Sequence, residues 1–206
     1  MKKIKILSLL FCVVMLVAAC HDDEEGPIIP QPREQVGRTV LVYIVGDNGV
    51  NELSDLFKTN FEDMKEGMKE VDYSKCNLVV YSEMVNDVPR LVSLKKQNGK
   101  VVADTLFTYS EQNPLAKEVM SSVISQTVSY FPADSYGFVF LSHSSSWVPA
   151  TNDANSRSIG YYRRTQMNIP DFHDVLLSSF PRPLKFILFD SCSMQAVEVA
   201  YECHRS

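Results

Sequence analysis

The run TVLVYIV at residues 39–45 constrains the fold more than any other part of the chain. Its β-branched and aromatic residues favour a strand, and no charged residue alternates with the apolar ones. A strand with one face in water would show a period of two, so this one is expected to be covered on both faces. A parallel sheet flanked by helices on either side provides that environment. Three further stretches have the same character: CNLVVY at 76–81, YGFVFL at 136–141 and LKFILF at 184–189.

The segments between them carry a helical period. The first strand stops at Gly46-Asp47-Asn48-Gly49. Asn51 can then cap a helix reaching residue 69, with Leu53, Leu56, Phe57, Phe61, Met64 and Met68 on one face. Residues 115–131 repeat apolar positions at Leu115, Val119, Val123 and Val128, behind a Pro114 that a first helical turn tolerates. Helices are also expected at 170–180 and 194–202. Residues 90–94 and 101–109, joined across Gln97-Asn98-Gly99, read as a hairpin appended to the sheet. Residues 152–164 read as a polar connecting stretch. Strands alternating with helices imply a doubly wound α/β domain, whose functional groups gather outside the carboxyl ends of the strands.

The N-terminus speaks of export. Lys2, Lys3 and Lys5 precede an apolar run at 6–17 that leads into Val17-Ala18-Ala19-Cys20. This is a lipobox: residues 1–19 form a lipoprotein signal peptide, and the Cys20 thiol carries the lipid. An ordinary signal peptide with a chance cysteine is the alternative. Residues 20–37 form a tether, acidic at His21-Asp22-Asp23-Glu24-Glu25 and proline-rich at GPIIPQP. The acidic run resembles the signal that sends some Gram-negative lipoproteins to the outer cell face, or is simply a soluble spacer. The expected location is the cell envelope, lipid-anchored; the export-signal reading of the acidic run would place it on the outer membrane facing the cell exterior, and the spacer reading leaves the leaflet open. The domain then occupies residues 38–206. A net charge of −5 argues against a nucleic-acid partner. Cleavage removes Cys12 and lipidation occupies Cys20, so the odd set Cys76, Cys192 and Cys203 leaves at least one thiol without a partner inside the chain.

His143 and Cys192 each follow a strand, at the sheet edge where chemistry is expected. A cysteine peptidase needs a thiolate, a histidine to manage protons and donors for a developing oxyanion. A helix starting behind Cys192 would favour its thiolate. The main-chain N–H groups of Ser144 and Cys192 are candidate oxyanion donors. On spacing alone Cys192 is equally a small apolar residue under the sheet edge, and His143 a hydrogen-bonded loop histidine.

The segments YGFVFLSHSSSW and LKFILFDSCSMQAVEVAYE resemble the histidine motif and the Asp-Ala-Cys motif of the clostripain family of cysteine peptidases, and TVLVYIVGDN resembles that family's opening strand. The resemblance implies a caspase-like three-layer sandwich with a mostly parallel sheet, and cleavage of a peptide or protein substrate after Arg or Lys. It makes His143 the general acid/base, Cys192 the nucleophile, and Asp190 the acidic residue that binds the substrate's basic side chain. Asp190 as a cap of the following helix is the other reading. Family members also cut themselves in the loop after the histidine, which here holds Arg157, Arg163 and Arg164. Arg157 is the self-cleavage candidate, against a merely solvated basic loop.

Two residues depart from the family pattern: Ser144 replaces a glycine and Ser191 an alanine. If the glycine needs a positive φ, serine there costs about 1 kcal/mol or more. Cys192 lies close to the end of the sequence, so the sheet is expected to be incomplete at its C-terminal edge and the chain truncated. No cofactor and no metal are expected, because Cys203 and His204 make no ligand set and no calcium loop is recognisable. A catalytically inactive surface lipoprotein with a binding or structural role is the competing reading. A hydrolase on a flavodoxin-like sheet is a third, and no glycine-rich phosphate loop follows TVLVYIV.

Overall fold

A computed structural model describes residues 30–48, 51–145 and 158–206, with the side chains of 51 and 52 set aside. In it the four apolar runs lie side by side. Strand β1 (Arg38–Val45) sits between β2 (Cys76–Glu83) and β5 (Tyr136–Leu141), β8 (Phe186–Asp190) lies beyond β5, and all four are parallel. The hairpin β3 (Arg90–Gln97) and β4 (Lys100–Thr108) continues the same sheet antiparallel to β2, giving the order β4-β3-β2-β1-β5-β8. It is therefore built into the sheet rather than appended, and Leu91, Val92 and Leu94 are buried there. Asn98 and Gly99 turn it with φ of 51° and 77°.

Among the described residues four helices cover the sheet: α1 (Asn51–Gly67, continued by one 3-10 turn), α2 (Lys117–Tyr130), α3 (Ile169–Ser179) and α4 (Val197–Cys203). Alternation along β1 explains the layers. Val42 and Ile44 meet Phe57, Leu53, Phe61 and Met64 of α1 on one face. Leu41, Tyr43 and Val45 belong to a core with Val123 and Ile124 of α2 and Phe172 and Leu176 of α3 on the other. Because both faces are covered, β1 needs apolar residues throughout, and the result is a three-layer α/β/α sandwich. Burying Phe57 alone contributes about 2–3 kcal/mol. Leu56, expected on the same face, is exposed instead.

Helix α2 begins three residues after Pro114, whose carbonyl accepts the Tyr43 hydroxyl at 2.7 Å. A proline carbonyl used in this way sits outside the first turn. Residues Gln31–Ser206 form one compact unit. Residues 33–36 hold to it through Arg33 N–H to the Tyr130 carbonyl, 2.9 Å, and a bridge from Val36 to Ala133. Among the described residues β8 pairs on one side only, with β5. At the first step of that pairing Phe186 faces Gly137, and a Cβ on Gly137 would lie 2.4 Å from the ring. The ring fills the place of the missing side chain. No described helix is long and apolar enough to cross a membrane.

Candidate active site

The last register pair between β5 and β8 is Leu141 opposite Asp190, so the chain leaves both strands on the same rim. Ser142 N–H donates to the Asp190 carbonyl at 3.4 Å and carries the ladder one step further. His143 and Cys192 follow, each two residues past the paired position, on strands about 4.8 Å apart. Both side chains are exposed, and imidazole and thiol make no hydrogen bond to each other. The fold brings the pair to one place without joining them.

On the histidine side the rim is clamped by a hairpin, β6 (Ser158–Tyr162) and β7 (Thr165–Asn168), whose first strand and turn fall within the stretch 152–164 expected to be a polar connection. The Ser142 hydroxyl donates to the Val45 carbonyl at 3.0 Å and accepts Tyr161 N–H at 3.2 Å. Buried Ser144 accepts Gly160 N–H at 3.1 Å, and the hydroxyls of Ser145 and Ser158 lie 2.5 Å apart. The Tyr161 ring meets the His143 ring edge-on, with centroids 6.3 Å apart. Gly160 has φ of 75°, and a Cβ there would lie 2.6 Å from Leu115 and 2.9 Å from Phe140. Only glycine lets the hairpin settle so low. The apolar pair Ile159 and Met167, opposite each other in the hairpin and both buried, was the signal available in the sequence.

The hairpin turn is anchored by charge. Arg163, at φ of 53°, pairs through Nε with Asp47 at 2.9 Å, donates its main-chain N–H to the Asp47 carbonyl at 3.0 Å, and reaches Glu111 with its other end. Arg163 is thus part of a strand-end lock rather than of a free basic loop. Next to it Glu83 ends β2 with only 2% of its surface exposed and with Oε2 lacking a partner. Burial first, and then the Asp47 charge against the opposing pull of Arg163, push the Glu83 carboxyl up to about 7. In the sequence Asp47 and Glu83 each follow an apolar strand as an ordinary polar end, and nothing there marks them as functional residues.

On the cysteine side the local structure differs from expectation. Ser193 adopts φ of 60° and Ala196 is extended, so α4 begins at Val197, five residues past Cys192. The field of a helix fades within its first turn, and α4 therefore does not act on the thiol as expected. Asp190 does not cap α4 either: its Oδ2 accepts Asn60 Nδ2 of α1 at 3.3 Å, and its side chain is exposed. Ser191 Oγ donates to the Ser142 carbonyl at 2.7 Å and also touches Ser144 Oγ. Among the described residues the non-glycine positive φ angles belong to Asn86, Asn98, Arg163 and Ser193. Ser144 is not one of them, so replacing glycine there brings no backbone strain. Cys20 and Arg157 lie outside the described residues. Among the described residues, no group of three or more His, Cys, Asp or Glu residues is placed to hold a metal ion.

The model of the clostripain family matches residues 42–206. Among solved structures, the chain is similar to a secreted C11 cysteine protease from Bacteroides thetaiotaomicron in complex with an irreversible peptide inhibitor: 41% identity over 82% of this chain and 46% of that one, TM-score 0.71. It is also similar to an inactive zymogen C11 protease from Parabacteroides distasonis, with 32% identity over 84% of this chain and 47% of that one, TM-score 0.69. A B. fragilis cysteine protease shares 41% identity over 57% of this chain and 98% of that one, TM-score 0.52. The chain spans about half the length of the first two. Among curated proteins nothing matches. A sheet ending in paired His and Cys turns, a family match over most of the sequence and these relatives agree: the chain belongs to the clostripain family and has its caspase-like α/β fold.

Proposed function

We propose that the chain supplies the catalytic dyad of a cysteine endopeptidase that cuts after Arg or Lys and is held at the cell envelope by lipid on Cys20. The observation that carries this reading is the Leu141–Asp190 register, which sets His143 and Cys192 at equal depth on adjacent strands. The Cys192 thiolate attacks the scissile carbonyl carbon, and the S–C bond forms as the carbonyl becomes an oxyanion. The N–H groups of Ser144 and Cys192 receive that charge. His143 gives its proton to the leaving amine as the C–N bond breaks. Water, deprotonated by His143, then attacks the acyl carbon, the C–S bond breaks to release the acid, and the thiolate and protonated His143 are restored. Asp190, exposed on the same rim, offers a carboxylate to the guanidinium or ammonium of the substrate. Catalytic hydrogen bonds of this kind often tighten only around substrate, so the spacing of His143 and Cys192 is compatible with the dyad.

Self-cleavage at Arg157 belongs to the same proposal, and the lipobox and acidic start of the sequence support the envelope location. A second reading, a surface lipoprotein without catalysis, draws on one observation: His143, Asp190 and Cys192 all stand exposed rather than walled in. Hydrolysis of a small substrate with Arg at the cleaved position separates the two. Turnover by the full chain in detergent that vanishes in Cys192→Ala supports the peptidase. A folded protein with no turnover and no His143-dependent labelling of Cys192 supports the binding role. A single intact mass after long incubation would count against self-cleavage.

A further inference from the structure

The two serines that depart from the family pattern, Ser144 and Ser191, touch each other. One stands beside His143 and the other beside Cys192, so their contact spans the gap between the two turns. Proton counting fixes its direction. The single hydroxyl proton of Ser191 goes to the Ser142 carbonyl at 2.7 Å, so Ser191 has only lone pairs left for Ser144. Ser144 must then donate to Ser191, while its own oxygen accepts Gly160 N–H at 3.1 Å. The chain therefore runs Gly160 N–H to Ser144 O–H to Ser191 O–H to the Ser142 carbonyl, with every proton assigned. Ser142 is tied in turn to Val45 and Tyr161.

We propose that Ser144 and Ser191 are positioning residues that staple the His143 turn to the Cys192 turn and so set the separation of imidazole and thiol. The proposal rests on the dyad reading above and deepens it. Ser144 is 3% exposed, so its hydroxyl has no water to replace a lost partner. A glycine at 144 and an alanine at 191 would leave the turns linked by main-chain bonds alone. In this chain the hydroxyl pair adds a second, side-chain link at the point where spacing matters to proton transfer. Neither hydroxyl touches the reacting atoms; each acts through the neighbouring residue, apart from the oxyanion role of the Ser144 main-chain N–H.

The test is the pH dependence of Cys192 alkylation by iodoacetamide in the full chain, mapped by mass spectrometry so that Cys76 and Cys203 are read separately. If wild type holds a thiolate beside His143, Cys192 reacts well below pH 8 and loses that reactivity in His143→Ala. Ser144→Ala and Ser191→Ala should each slow the reaction at pH 6 about ten-fold, the loss expected from a misplaced imidazole and thiol. The double variant should be no slower than the slower single one, because both remove the same link. Ser191→Thr, which keeps the hydroxyl, should restore the wild-type profile. Unchanged profiles in the serine variants, or losses that multiply in the double, overturn the staple while leaving the dyad intact. A wild-type profile indifferent to His143 overturns the dyad and the staple together. Circular dichroism shows that each variant compared is folded. A variant that unfolds is replaced by the family pair Ser144→Gly with Ser191→Ala, which must show the same ten-fold loss.

Discussion

Strands β5 and β8 are spelt almost alike, FVFL in one and FILF in the other, yet they live in different surroundings. Phe138 in β5 is fully buried among Tyr43, Phe172 and Phe180, while Phe186 and Leu188 in β8 are 37% and 50% exposed. An apolar run states what a strand tolerates on its two faces. Its neighbours decide how much of that is used. A strand between two others, with helices above and below, is locked; a strand with one neighbour is held by ladder bonds and a few contacts.

The unequal surroundings of β5 and β8 set the size of the effects expected on substitution. Phe138→Ala should cost about 3–5 kcal/mol in urea unfolding, the range for a large aromatic lost from a closed core. Gly160→Ala comes next, at roughly 2–4 kcal/mol, because a side chain there meets both a positive φ and the Leu115 and Phe140 side chains. It should also lift the hairpin off the histidine turn, read as a fall in kcat/KM.

Glu83 sharpens the contrast through pH. Its carboxyl titrates near 7 in the folded chain against an ordinary 4.5, so the folded state binds the extra proton. Stability is then largest below about pH 4.5 and falls as pH rises through 7. Glu83→Gln should flatten that slope and gain on the order of 1–2 kcal/mol relative to wild type at pH 8. A melting temperature with the same pH dependence in both proteins would refute it. Ser193→Gly should stabilise by about 1 kcal/mol by relieving a left-handed serine. Leu188→Ala should change stability least, by less than about 1 kcal/mol. Equal losses from Leu188→Ala and Phe138→Ala would erase the distinction between the two strands.

Most of the sheet was legible in the sequence because a strand covered on both faces leaves a mark that needs no tertiary knowledge: TVLVYIV, CNLVVY, YGFVFL and LKFILF all became parallel strands. The β6–β7 hairpin was not legible. Its strands are short, its turn is made by two arginines rather than Asn-Gly, and it depends on Gly160 fitting over Phe140, a contact 20 residues away in sequence. The late start of α4 was hidden for a related reason. Apolar spacing after Met194 suits a helix, but Ser193 is left-handed and Ala196 extended, backbone states that the spacing of apolar residues does not report. Of the site, the rim positions of His143 and Cys192 followed from strand ends alone. The Asp47–Arg163–Glu111 lock and buried Glu83 required knowing which strand ends lie next to each other.

The ring of Phe186 seated over Gly137 acts as a gauge for the whole rim. If β8 slid by one residue against β5, the ring would meet Phe138 instead of a bare backbone, and every β8 side chain would change faces. Cys192 would move about 3.3 Å along the edge relative to His143. A glycine four residues upstream of the end of β5, with no chemistry of its own, thus calibrates the alignment of His143 and Cys192 from the opposite end of the strand.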